Sequence, residues 1–130
     1  MTSQATTVAR LPFQYVVLRC VPRVDREEFL NVGVVLYCQA AEYLACASHV
    51  EEQRLLTLAP DLDVAAVRSA LDGIAEICAG TGPSAFINLG QRFGWLAAPK
   101  STMIQPGPVH GGLAEDPQAE LAHLLDMLVR

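Results

Sequence analysis

Between Phe13 and Val21 apolar residues occupy both alternating sets of positions. One set is Phe13, Tyr15, Val17, Arg19 and Val21, and the other is Gln14, Val16, Leu18 and Cys20. A β-strand with two largely apolar faces belongs in the interior of a sheet. Pro22 has no N–H to give to a ladder and ends the run. After a charged connector, Arg23 to Glu28, the run Phe29 to Cys38 carries Val32, Val34, Leu36 and Cys38 on one unbroken apolar face. This is the clearest strand of the chain, and Gly33 inside it marks a bulge or a close backbone approach. Gln39 to Glu42 leaves room only for a turn, so Tyr43 to Ala47 returns as the third, antiparallel strand of a meander.

The period then changes. Ser48 followed by Glu51 has capping-box spacing and predicts a short helix over about His49 to Leu58. Asp63 stands as N-cap before Val64, Val67, Leu71, Ile74, Ile77 and Cys78, which recur at helical spacing until Gly80 stops them. Thr81 to Gly90 is irregular. Arg92–Ala97 and Ser101–Gln105 read as two short extended pieces broken at Pro99, and Pro106 to Gly112 as a loop rich in Pro and Gly. Asp116 as cap and Pro117 in the first turn open a last helix with the stripe Leu121, Leu124, Leu125 and Leu128. The expected fold is α+β: one antiparallel sheet of four to five strands starting with a three-stranded meander, and two main helices packed on one face. Residues 1–11, small and polar, read as a flexible lead-in, and residues 12–130 as a single domain.

Composition supports a packed domain and narrows the chemistry. Of 130 residues, 52% are hydrophobic and 18% charged, enough apolar material for a core without disulfides or metal. The net charge of -5 argues against a broad phosphate-tracking surface. Arg10, Arg19, Arg23 and Arg26 nevertheless precede or flank a single early acid, Asp25, so a local basic patch is conceivable. Snorkelling or pairing with downstream acids is the simpler fate of these arginines. Cys20, Cys38, Cys46 and Cys78 lack zinc-knuckle spacing and fall on strands or an apolar helix face, as reduced core thiols do. No metal and no cofactor is expected. No apolar run reaches membrane-spanning length and no signal-peptide pattern opens the chain, so the expected compartment is the cytoplasm.

Enzyme motifs are sparse. There is no glycine-rich phosphate loop and no serine nucleophile elbow. Glu120 and His123 supply only half of a di-iron carboxylate pattern and read better as the flank of a helix. Asp25, Glu27 and Glu28, interleaved with Arg23 and Arg26, could bind or activate a substrate, but a solvated, salt-bridged connector is the favoured reading. Trp95 and Phe93 read first as core aromatics and only secondarily as a stacking platform for a base. The polar groups that a core does not require gather in two non-helical segments, Arg23–Gly33 and Arg92–His110. The candidate binding surface is therefore Arg23, Arg26, Glu28, Asn31, Arg92, Ser101, Gln105 and His110, expected to meet in one polar cleft.

Two strings carry a resemblance. Val21-Pro22-Arg23 leads into Glu28-Phe29-Leu30-Asn31-Val32-Gly33-Val34-Val35-Leu36. Later come Arg92-Phe93-Gly94-Trp95-Leu96, Pro99, Ser101-Thr102, Gln105-Pro106 and Pro108-Val109-His110. With the leucine-rich end, these resemble the bacterial domain of unknown function 3037 family over about residues 13–130. The resemblance implies no catalytic residues. It implies an accessory role beside a kinase-like protein.

Three functions follow, in order of preference. The first is a protein-binding or accessory module, acting on a protein partner or as a homo-oligomer, which requires an exposed apolar patch. The second is a small enzyme or ligand binder with an anionic-substrate pocket of Arg23, Arg26 and Arg92. The third, disfavoured by the acidic balance, is a nucleic-acid-binding domain using the early arginines with Trp95.

Overall fold

A computed structural model describes residues 9–83 and 87–130. Strands β1 (Leu11–Cys20), β2 (Leu30–Cys38) and β3 (Tyr43–Ser48) form the expected antiparallel meander. β1 thus begins at Leu11, the last residue of the expected lead-in, and residues 1–8 of that lead-in lie outside the described residues. Two further strands, β4 (Ile104–Pro106) and β5 (His110–Ala114), both pair antiparallel with the free side of β1. They cover its C-terminal and N-terminal halves respectively, as one edge strand interrupted at residues 107–109. The expected Pro106–Gly112 loop is therefore largely sheet. Glycines have no side chains to display alternation, so periodicity did not reveal β5.

Gly33 lies at a bulge. Leu18 pairs with Gly33 but Arg19 pairs with Asn31, so Val32 is an extra residue in β2. The insertion turns Val32 to the same face as Val35, where both are fully buried. Asn31 is left on the opposite face, and its amide donates to the Leu128 carbonyl at 3.1 Å.

Helices α1 (Glu52–Leu58), α2 (Val64–Ala79), α3 (Leu89–Ala97) and α4 (Pro117–Leu128) complete the described fold. The capping box does not form, because Ser48 is still in β3 and α1 starts only after Glu51. Glu51 instead meets His49 at 2.5 Å, and that contact holds its carboxyl below the usual range. At α2 the Asp63 side chain accepts from Ala66 N–H, and Gly80 closes the helix with φ 76°, a left-handed conformation natural to glycine. At α4 the Asp116 side chain accepts from Gln118 N–H.

Two further expectations need correction. Arg92–Ala97 is helical, not extended. Asn88 caps α3 by accepting from Gln91 N–H, and Leu89, Phe93 and Leu96 then share one face, with Phe93 and Leu96 buried. The two main helices also do not share a sheet face. One core holds Val16, Leu18, Cys20, Val32 and Val35 with Val67 and Leu71 of α2 and Phe93 and Leu96 of α3. The other holds Phe13, Val34, Leu36 and Cys38 with Leu121 and Leu124 of α4. Alternate residues of β1 and β2 enter different cores, so the sheet is covered on both faces. No helix among the described residues is long and apolar enough to cross a membrane.

Candidate functional site

The predicted surface residues do not all converge. Arg23, Arg26 and Glu28 line a cleft of about 520 Å³ against the α1–α2 connection, Leu58 to Asp63. The local turn builds it: a single 3₁₀ turn spans Val24–Arg26, and Glu27 follows with φ 56°. Both guanidinium groups are engaged within this segment. Arg23 binds Asp25 at 2.7 Å and Arg26 binds Glu28 at 2.5 Å, all with exposed side chains. The Arg23 hydrogen bond draws the Asp25 carboxyl below its ordinary range, and the Glu28 bond raises Arg26. Asp61 and Asp63 add negative charge to the same rim. Arg19, another of the early arginines, lies 4.3 Å over the Phe29 ring.

The second segment runs along the β1 edge, where Val21 N–H donates to the Met103 carbonyl at 2.7 Å and Gln105 stands opposite Arg19; Val21 and Arg19 both precede the first segment. Gln105 donates to the Thr102 carbonyl at 2.9 Å, and Ser101 is exposed in the α3–β4 connection. His110, on β5, places its ring 5.2 Å from that of Tyr15. Asn31 sits beside α4, on the other side of the sheet from α2 and α3.

Arg92 does not join Arg23 and Arg26. Its Nη1 donates to the Ile77 and Cys78 carbonyls at 3.0 Å each, and its Nε donates to the Ile87 carbonyl at 2.9 Å. It therefore adds a charged donor to the carbonyls of the last turn of α2, where Ile77 already accepts from Gly80 N–H, and ties that turn to the start of α3. Arg92→Ala should lower stability by about 2 kcal/mol, since charge-assisted hydrogen bonds to partly buried carbonyls are lost. Urea denaturation measures this, and Arg92→Lys should recover only part of it, because one ammonium replaces a forked donor.

The surface that sequence reasoning missed lies beside Arg92. α2 and α3 diverge around a largely apolar groove of about 660 Å³, lined by Gly73, Glu76, Ile77, Pro83, Ile87, Gln91, Arg92 and Trp95 among others. Trp95 is 58% exposed and Ile87 45% exposed. Trp95 was expected in the core, but on a helix it falls off the stripe of Leu89, Phe93 and Leu96. Phe93 alone of the pair is buried, its ring 5.4 Å from that of Tyr37. Lys100 holds the Trp95 indole in place, with its ammonium 4.6 Å over the ring and hydrogen-bonded to the Trp95 and Ala98 carbonyls. A helical phase for residues 89–97 was the signal that would have exposed Trp95.

The four cysteines are free thiols, with Cys20, Cys38 and Cys78 buried and Cys46 half-buried. Burial pushes the Cys46 thiol up to about 12, and the Cys78 thiol up to about 11 against the opposing pull of Arg92. Thiolate is the reactive form, so at pH 8 the native protein should react slowly with a thiol reagent. In denaturant, all four should react at once. A fast native thiol would show that one is more open than this. Among the described residues, no three His, Cys, Asp or Glu side chains come together to hold a metal ion.

The fold is thus that of a small α+β domain with an open antiparallel sheet and an apolar groove on one helical layer. The family model described as "Protein of unknown function (DUF3037)" matches residues 15–129, and the chain belongs to that family. Neither a curated protein nor a solved structure matches it significantly.

Proposed function

We propose that this domain is a protein-binding accessory module whose α2–α3 groove receives apolar side chains of a partner. The observation that carries this reading is Trp95, held by Lys100 at the rim of a concave apolar surface while 58% exposed. Exposed tryptophan beside an apolar concavity is the composition of a binding hot spot, where a few large residues supply most of the affinity. Ile87 across the groove offers a second apolar contact. The family resemblance makes a kinase-like protein the first partner to try. The alternative, an anionic-substrate pocket, is weakened because Arg92 lies elsewhere and Arg23 and Arg26 are already paired with acids.

The test uses the full chain as bait, with parent and Trp95→Ala compared by calorimetric titration against the kinase-like protein. Trp95→Ala should weaken binding by about 30-fold or more, as hot-spot truncations do. Equal affinity in the variant would remove the groove from the interface. No binding by the parent would remove the kinase-like protein as partner.

A further inference from the structure

The β5 edge has a property that the groove does not explain. Gly107 N–H donates to the Val17 carbonyl at 2.8 Å, which shows that odd-numbered residues of β1 direct their backbone groups toward this edge. In the register Tyr15–His110, Phe13–Gly112 and Leu11–Ala114, the groups of His110, Gly112 and Ala114 therefore face β1. Pro12, which has no N–H, stands opposite Leu113, as a pair without mutual hydrogen bonds allows. The N–H and C=O of Gly111 and Leu113 consequently point outward, and among the described residues β5 pairs only with β1.

Sheet edges of this kind are usually guarded by charge or proline. The β4 half is guarded, since Pro106 stands opposite Leu18 and presents no outward N–H. The β5 half is not. From His110 to Ala114 there is no acid, lysine, arginine or proline, and the first four residues are exposed, Leu113 to 62%.

We infer that β5 pairs antiparallel with β5 of a second copy of this chain about a twofold axis at Gly112. In that register Gly111 faces Leu113 of the partner subunit and Leu113 faces Gly111 of the partner subunit. Both are hydrogen-bonded pairs, because these are the residues whose backbone groups point outward. Each lateral pair sets a large side chain against a small one: Leu113 against glycine, and His110 against Ala114 of the partner subunit. The axis itself brings two glycines together. No like charges meet within the strand, a condition that antiparallel cross-strand pairs need. The small residues have a reason within one copy as well, since a Cβ at Gly112 would lie 2.7 Å from the Phe13 ring.

Sedimentation equilibrium of the full chain tests this, read alongside amide hydrogen exchange. The parent should sediment at twice 14.0 kDa. The Gly111 and Leu113 amides should exchange slowly when concentrated and fast on dilution, while Gly112, already bonded to β1, should not change. Leu113→Pro removes an outward N–H without touching the β1 ladder, and Leu113→Lys adds charge to the edge. Both should sediment at 14.0 kDa with circular dichroism like the parent's. A monomeric parent overturns the inference. So does a dimer that leaves Gly111 and Leu113 unprotected, or one that survives Leu113→Lys.

Discussion

Leu124→Asp should destabilise the domain by about 4 kcal/mol or more, enough to unfold a domain of ordinary stability. Leu124 is 3% exposed and lies in the core that α4 builds with Phe13, Val34 and Leu36. No partner for a carboxylate stands among those side chains. A charge there loses its hydration with nothing to replace it. Thermal melting followed by circular dichroism measures the effect. Leu124→Met, which conserves volume, should cost under about 1.5 kcal/mol and isolates charge from packing. If Leu124→Asp melted like the parent, α4 would not be part of the folded core.

Phe93→Ala should cost about 3–5 kcal/mol, whereas Trp95→Ala should stay within about 1 kcal/mol of the parent. The contrast arises from the phase of α3. In a helix the two residues point in different directions, and only Phe93, at 5% exposure, fills the space between α3 and Tyr37 of β2. In the extended reading they would lie on the same face and be lost at similar cost. Denaturant midpoints of the two variants therefore decide the conformation of residues 89–97. They also secure the binding experiment, because a Trp95 variant that is fully folded isolates the groove from the fold.

The meander, α2 and α4 were legible because their side chains repeat with the period of their backbones. Val34, Leu36 and Cys38 announce a strand, and Leu121, Leu124 and Leu128 a helix. The two-sided apolar character of β1 also held the answer to helix placement, since both faces had to be covered. That inference requires knowing which helix reaches which face, a long-range matter. α3 was misread because Gly90 and Gly94 depress helix propensity while Phe93 and Trp95 suit a strand. What overrides propensity is tertiary packing of Phe93 and Leu96 together with the Asn88 cap. The proposed polar cleft was only partly legible. Arg23, Arg26 and Glu28 are neighbours in sequence and stay neighbours in space. Arg92 is committed to carbonyls of residues 77, 78 and 87, a contact that no local spacing encodes.

The placement of β1 between β2 and the β4–β5 edge has a consequence for the order in which the chain can assemble. β1 finds β2 across a short connection, but it meets β5 only by closing a loop at least as long as that from Tyr15 to His110. Contacts so distant in sequence come late and slow the search. During synthesis β1 emerges before β5 and α4 and must wait for them, with one side of its backbone and the α4 face of the sheet uncovered. The nascent domain is therefore most exposed to wrong pairings until β5 and α4 have emerged. Shortening the connection between α2 and α3 should speed folding far less than a circular permutation that places β5 and α4 ahead of β1, which leaves only α4 and the linking residues between β5 and β1.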